Sequence, residues 1–586
     1  MSDRVSPEKP PVTLLAGDAD RRSKVERIKA ASRGLRLVSS GRGETHSFRS
    51  EIDRLARGDA ATIGNEAKEL SKFFGVYKQQ ARGERGRKTD EYFFMVRIKN
   101  PAGGEISCRQ WRALDEASDA YADGTLRVTS RQGLQYHHVY GPALAPLVRH
   151  LNRGYRDHAT LGACGDVNRN VMASPIDGLD PEHDPRGREL AREIADLLAP
   201  RTGAYFEIWL TDAEGGKQRS VQDEEPIYGT NYLPRKFKIG IAHPRDNAVD
   251  VLTQDIGLVP VQADGVADGS SFDLYSGGGL GMTHNMPHTR PLLGLHLGRI
   301  RREQVVEACR GIAILQKENG DRGDRRRARW KYTIRRLGLD AVRDELKSRF
   351  HIEIEEAEPQ PLAPMRLHLG WHPQRGGGGY YGIPVENGRI QGRLRQAIRA
   401  AVEQLDLAVR LTPQQDVLLC NVPDRAALER ILDAHAVPRP ETLSIVRRNA
   451  MACPAKPTCG LAMTDAERIL PSYLDAIEQA GLGDVDAVIR MTGCPNNCAR
   501  PPTAEIGIYG YGKNDHVILV GGSREGTRLG QVLYSRVPGE QMIPVLVGLF
   551  AAIRAHNRDD LPVGEFLHRA DPETLRGWIG VAGLAA

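Results

Sequence analysis

The chain has 586 residues, with 81 Lys or Arg against 75 Asp or Glu and a net charge of +6. That length calls for several domains, and 40% hydrophobic residues with mixed charge exclude a disordered or fibrous chain. The small basic excess does not by itself imply nucleic acid, and the longest apolar run near the C-terminus, residues 543–553, holds Pro544 and Gly548 and is too short to cross a bilayer.

Residues 1–65 are polar, charged and weakly periodic, and read as an extended or partly helical arm. Residues 1–16 have no apolar signal core, and no apolar stretch follows Arg21-Arg22, so a cytoplasmic protein with no membrane contact is expected. Residues 92–98 form a strand-like run carrying Arg97. Trp111, Leu114, Ala117 and Tyr121 recur at helical spacing and predict a helix over 109–121. Residues 126–138 alternate like a pair of strands; they hold Arg131 and Gln135, and His137-His138 reads as one core and one surface histidine.

Arg169 follows in Gly165-Asp166-Val167-Asn168-Arg169-Asn170. In Lys236-Phe237-Lys238, a strand would place both ammonium groups on one side and pack Phe237 away. The densest basic run, Arg325-Arg326-Arg327-Ala328-Arg329-Trp330-Lys331, reads on charge alone as a solvated helical face, or else as a pocket for a polyanion.

Pro359, Pro361 and Pro364 mark a linker, after which the pattern starts again. A strand is predicted over 366–371. Leu394, Ile398, Val402 and Leu405 form a helical stripe. Val409-Arg410-Leu411-Thr412-Pro413-Gln414-Gln415 then echoes Leu126-Arg127-Val128-Thr129-Ser130-Arg131-Gln132. The repeated order of strand, helix and strand indicates a duplicated α+β unit. Arg131 aligns with Gln414, so a charged site belongs to the first copy. Gly377-Gly378-Gly379-Tyr380-Tyr381-Gly382 spells a dinucleotide motif by letter, but Ile383-Pro384-Val385 follows where a helix should open. His284 and His288 have a ligand-like spacing that Pro287 makes unsuitable for a helical zinc face.

Of eight cysteines, Cys108, Cys164, Cys309 and Cys420 are scattered and read as buried, inert thiols. The other four stand in two close pairs, Cys453-Pro-Ala-Lys-Pro-Thr-Cys459 and Cys494-Pro-Asn-Asn-Cys498. Without an export pattern, such a set points to metal or redox use rather than disulfides. Zinc pairs usually sit as Cys-x2-Cys; these looser spacings suit the corners of an iron–sulfur cubane better than a single zinc ion, which remains the alternative.

Asn449-Ala450-Met451-Ala452-Cys453, Pro457-Thr458-Cys459 and Gly493-Cys494-Pro495-Asn496-Asn497-Cys498 resemble the sirohaem-dependent sulfite and nitrite reductases, and the likeness runs from about Phe73 onward. It implies an α+β fold of two ferredoxin-like half-domains related by a pseudo-two-fold axis, plus two α/β domains that bind sirohaem and a [4Fe–4S] cluster. The boundaries expected are an arm over 1–65, half-domains over 66–150 and 346–425, and sirohaem domains over 151–345 and 426–586. The resemblance implies one [4Fe–4S] cluster on Cys453, Cys459, Cys494 and Cys498, with Cys498 also the axial ligand of one sirohaem. It implies substrate binding by Arg97, Arg169, Lys236 and Lys238. It implies cofactor contacts from Arg131, Gln135, Arg329 and Asn496.

The activity implied is the six-electron reduction of sulfite to sulfide, with reduction of nitrite to ammonia as the alternative. Lys238 separates them, because nitrite reductases of this family tend to carry Asn there. No flavin or NADPH fingerprint is present, so electrons must come from a partner: an NADPH-dependent flavoprotein subunit, favoured by the sequence around Gln79 and Tyr232, or a ferredoxin. No nucleic-acid module is recognisable.

Overall fold

The computed structural model describes residues 22–31, 36–38, 45–82, 88–154, 165–200, 209–211, 217–219, 226–229, 231–262 and 264–585. Cys164 and much of the arm lie outside these residues. Within the arm, Lys24–Ala31 and Phe48–Arg57 are helices.

The first half-domain runs from a hairpin, β1 (Val76–Arg82) and β2 (Lys88–Ile98), through helix α1 (Cys108–Tyr121) to β3 (Leu126–Val128), β4 (Leu134–Val139) and helix α2 (Gly141–Gly154). Ser107 starts α1 with a reciprocal cap. Its hydroxyl accepts from the Gln110 N–H at 3.3 Å, and the Gln110 side-chain Oε1 accepts from the Ser107 N–H at 2.9 Å. Trp111, Leu114 and Ala117 are buried on one face of α1, as their spacing predicts. Cys108 is half-buried at the first turn of α1, not in the core as expected, whereas Cys309 and Cys420 are buried.

A mixed sheet follows. β5 (Met172–Ala173), β6 (Ile239–Ile241) and β7 (Ile256–Pro260) are parallel, and β8 (Ser271–Ser276) and β9 (Leu295–Arg301) add antiparallel to β7. The second half-domain holds β10 (Gly370–Pro373), β11 (Gly379–Ile383), β12 (Arg389–Ile390), helix α3 (Gly392–Leu405), β13 (Ala408–Leu411), β14 (Val417–Val422) and helix α4 (Arg425–Ala434). The last sheet repeats the first mixed sheet. β15 (Ala450–Ala452), β16 (Ile489–Thr492) and β17 (Ile506–Gly510) are parallel, and β18 (Asp515–Val520) and β19 (Gln531–Pro538) are antiparallel. The apolar helix Met542–His556 packs into the core of this sheet rather than spanning lipid. Among the described residues no helix is long and apolar enough to cross a membrane.

The two half-domains exchange edges. β12 pairs with β3 of the first, while Ile106 of the first bridges Val409 in β13 of the second. The turns after β3 and β13 are built alike. Thr129 Oγ1 accepts from Gly133 N–H and Thr412 Oγ1 from Asp416 N–H, each at 3.0 Å, and Gln132 and Gln415 both have left-handed φ. The echoed motif is therefore a structural repeat.

Two predicted strands are shorter than the pattern suggested. The strand expected over 366–371 begins only at Gly370. Ahead of it, Met365 N–H donates to Arg524 O at 2.8 Å and Arg366 N–H to Asp246 Oδ1 at 3.0 Å, so those amides serve the mixed sheets instead. At 236–238 only Phe237 bridges, to Asn168, and β6 starts at Ile239. The alternation still holds, with Phe237 fully buried between two half-buried lysines.

Candidate active site

The cysteines gather at the ends of two neighbouring parallel strands. Cys453 follows β15 directly, its N–H donating to Met491 O at 3.1 Å, and Cys494 follows β16. Gly493 N–H reaches Cys453 Sγ at 3.4 Å and Asn496 Nδ2 reaches Cys494 Sγ at 3.5 Å, so backbone and amide donors already face the sulfurs. Burial, then the charge of Cys498, pushes Cys453 well up and Cys494 up to about 12; burial also raises Cys459. Three thiols kept protonated chiefly by burial would ionise together only around cations. Among the described residues no three His, Cys, Asp or Glu side chains close on a single-ion site. The charges of the four cysteines act on one another, which puts them in one neighbourhood.

The basic side comes from the first mixed sheet. Arg169 N–H donates to Phe237 O at 2.8 Å, which locks the Arg169 loop to the lysine segment. Asp255, fully buried at the start of β7, accepts from the Lys238 N–H at 2.9 Å and from Arg329 Nη2 at 3.3 Å. Arg131 donates to Gln254 Oε1 and to Asn170 O, each at 2.6 Å. Burial, followed by Arg329, Arg235 and Arg169, drives Lys236 well below the usual lysine range. Burial, followed by Arg131, Lys236 and Arg329, does the same to Lys238. These six basic groups thus share one poorly screened space. Arg97 lies across from Gln135 in the β2–β4 register, and with the amide oxygen turned toward it Gln135 accepts from Arg97 Nε at 2.9 Å. The charge of Arg97 acts on Cys459, which places it toward the cysteine side.

Direct contacts join the two sides. Ser130 Oγ donates to Cys498 O at 2.7 Å, so the Arg131 turn sits on the last cysteine. Met282 N–H donates to Pro495 O at 2.8 Å and Asn497 Nδ2 to Leu280 O at 2.9 Å. Cys498 is exposed and its charge is felt by Lys236. Among the described residues, buried donors here have no partner: Arg131 Nε, Arg329 Nε and the Asn168 amide. Such donors suit a ligand bearing several carboxylates, so the residues present fit both implied cofactors.

Sequence reasoning missed three supports. Asp255 orients Arg329 and the Lys238 backbone. Arg127 reaches from β3 to Ala452 O, one residue before Cys453, at 3.0 Å. Lys29 on the N-terminal helix is buried, ion-paired with Glu26, and donates to Asp166 Oδ2 at 3.2 Å and Leu233 O at 2.8 Å, tying down both basic loops. Arg325 also pairs with Asp166, at 2.7 Å, and Lys331 is buried on three carbonyls, so the basic run is neither a plain solvated face nor wholly a pocket. A longer repeat would have pointed to Asp255: residues 239–258 align without gaps on 489–508, which pairs Asp255 with Glu505. The structure bears this out, since Glu505 Oε2 accepts from the Val488 N–H at 2.8 Å as Asp255 does from Lys238.

The chain is similar to known proteins. A family model described as "Nitrite and sulphite reductase 4Fe-4S domain" matches residues 164–354, and one described as "Nitrite/Sulfite reductase ferredoxin-like half domain" matches residues 85–154 and 372–435. The chain is 36% identical to "Sulfite reductase [NADPH] hemoprotein beta-component" of Staphylococcus saprophyticus, over 94% of this chain and 96% of that one. It is 37% identical to "Sulfite reductase [ferredoxin]" of Synechococcus elongatus, over 94% of this chain and 90% of that one. "Structure of Mycobacterium tuberculosis NirA protein" superposes with a TM-score of 0.76 at 22% identity, covering 94% of this chain and 97% of that one, a likeness of fold.

Proposed function

This chain belongs to the nitrite and sulphite reductase family, and from that premise we propose that it is the catalytic subunit of an assimilatory sulfite reductase, reducing sulfite to sulfide with six electrons. The observation that carries this reading is the placement of Cys498, which joins the thiol set on one side and meets Lys236 and the Arg131 turn on the other.

One [4Fe–4S] cluster would sit on Cys453, Cys459, Cys494 and Cys498, and one sirohaem would be held by Cys498 with Arg131, Gln135, Arg329 and Asn496 around it. When bound, these groups supply an iron that takes the substrate and a store of electrons beside it. Arg97, Arg169, Lys236 and Lys238 hold the oxyanion and polarise its S–O bonds. The lysines, pushed down by burial and neighbouring cations, are poised to release protons to departing oxygens. Asp255 keeps Arg329 and Lys238 in place. The electrons come from a separate protein, an NADPH-dependent flavoprotein subunit in our reading, with a ferredoxin as the alternative, and the enzyme works in the cytoplasm. The domain boundaries proposed are 1–65, 66–150, 151–345, 346–425 and 426–586, with α2 and α4 carrying the two half-domains on to Gly154 and Ala434.

Metal analysis of protein purified without oxygen is expected to find about five irons per chain, four in the cluster and one in sirohaem. Stoichiometric zinc without iron would remove the reading. The choice of sulfite over nitrite rests on Lys238. Replacing it with Asn keeps a hydrogen-bond donor but removes one charge from a space where screening is weak. Lys238→Asn is expected to lower kcat/KM for sulfite by at least about tenfold, roughly 1.4 kcal/mol, while nitrite reduction falls less or rises. An unchanged sulfite-to-nitrite ratio in fully loaded enzyme would take specificity away from this residue.

A further inference from the structure

The duplication that builds the active site also builds its mate. Asn170-Val171-Met172-Ala173-Ser174-Pro175 and Asn449-Ala450-Met451-Ala452-Cys453-Pro454 enter β5 and β15, and the two strands sit in the same register, Met172 opposite Gly240 and Met451 opposite Arg490. The positions that correspond to the four cysteines are Ser174, Asp180, Pro244 and Ala248, so no cluster forms there. The position that corresponds to Arg169 is Arg448, and those of Lys236 and Lys238 are Asp486 and Val488.

At this mate position lies a cavity of about 580 Å³, bordered by Arg245, Arg366, Arg448 and Arg524, with His372 and Tyr380 stacked on its wall at 4.9 Å. Two of the arginines are already neutralised: Arg245 by Asp180 and Glu182, Arg524 by Asp486 and Glu505. The other two form no such pair, though Asp486 feels the charge of Arg448. Among the described residues neither Arg366 nor Arg448 makes a side-chain hydrogen bond or salt bridge, and Arg448 Nε is buried without a partner. A buried guanidinium N–H without an acceptor is costly unless a ligand supplies one. None of the residues assigned to sirohaem, the cluster or sulfite borders this cavity.

We propose that this cavity is a second anion site, for a small molecule with at least two negative charges on carboxylate or phosphate groups, held by Arg366 and Arg448. The cavity has room for an organic ligand larger than sulfite, and planar guanidinium forks pair with either group. The inference stands on the mate cavity alone and does not depend on the sulfite reaction.

The test is calorimetric titration of the holoenzyme in chloride buffer with citrate in one series and inorganic phosphate in another. Saturable binding of at least one probe is expected, weakened at least about tenfold in Arg448→Gln and retained in Arg169→Ala. Citrate alone would identify a polycarboxylate, phosphate alone a phosphate-bearing ligand. Arg366→Gln, at an exposed position, provides the same comparison should Arg448→Gln fail to fold, and its sulfite turnover should equal that of the parent. No saturable binding of either probe at millimolar concentration, or equal binding in parent and arginine variants, would overturn the proposal.

Discussion

Cys498→Ser is expected to lose both visible cofactor signatures and all measurable sulfite reduction. Serine keeps the backbone turn, in which Cys498 O accepts from Ser130, but replaces a soft thiolate with a hydroxyl that does not ionise near neutral pH. Because one sulfur is proposed to serve two centres, its loss should lower iron to well under half of the parent value and remove the sirohaem bands together with the cluster absorption. Cys108→Ser, half-buried at the start of α1 and not a member of the thiol set, is the matched control and should leave both spectra intact. Iron analysis and visible spectroscopy of the two variants check this. Equal, mild effects would contradict a shared ligand.

The second large effect is expected at the arginines. Arg97 and Arg169 approach from different elements, β2 and the loop that precedes β5, and each offers a guanidinium fork to a charged substrate. Losing a charge-assisted hydrogen bond costs roughly 1.5–3 kcal/mol, so Arg97→Ala and Arg169→Ala should each lower kcat/KM for sulfite by about ten- to a hundredfold. Neither should unfold the protein. Arg97 leans on the amide of Gln135, and the Arg169 backbone stays bonded to Phe237 whatever its side chain. The comparison needs variants with equal iron and sirohaem content. Parent-level turnover in a loaded variant would remove that arginine from the substrate's surroundings.

The chemistry of this chain was legible where it is local. Spacing alone separated the four clustered cysteines from the scattered ones, and the alternation in Lys236-Phe237-Lys238 located two lysines on one side of a buried aromatic ring even though no regular strand forms there. The repeated Arg-x-Thr-x-x-Gln segment disclosed the duplicated half-domain because the turn it encodes depends on contacts within five residues. What escaped was long-range. Nothing in the neighbourhood of Lys29 announces that it ends on Asp166, 137 residues away, or that Arg127 reaches Ala452 across 325 residues. Asp255 was hidden for a different reason: its partners are a backbone N–H and an arginine brought in by a distant helix. Only the 250-residue offset repeat, pairing it with Glu505, carries a sequence signal for it. The strand expected over 366–371 starts late, at Gly370, for the same physical cause: the Arg366 amide is taken by Asp246, a residue of a distant loop.

The central claim is that the thiol set and the basic set form one reducing site built for sulfite. Its most direct test is anaerobic turnover with an artificial one-electron reductant, measuring electrons consumed and sulfide formed, with nitrite run in parallel. The account predicts one sulfide for every six electrons, and a kcat/KM for sulfite above that for nitrite. Ammonia formed efficiently from nitrite with little or no sulfide from sulfite, in enzyme fully loaded with iron, would contradict it.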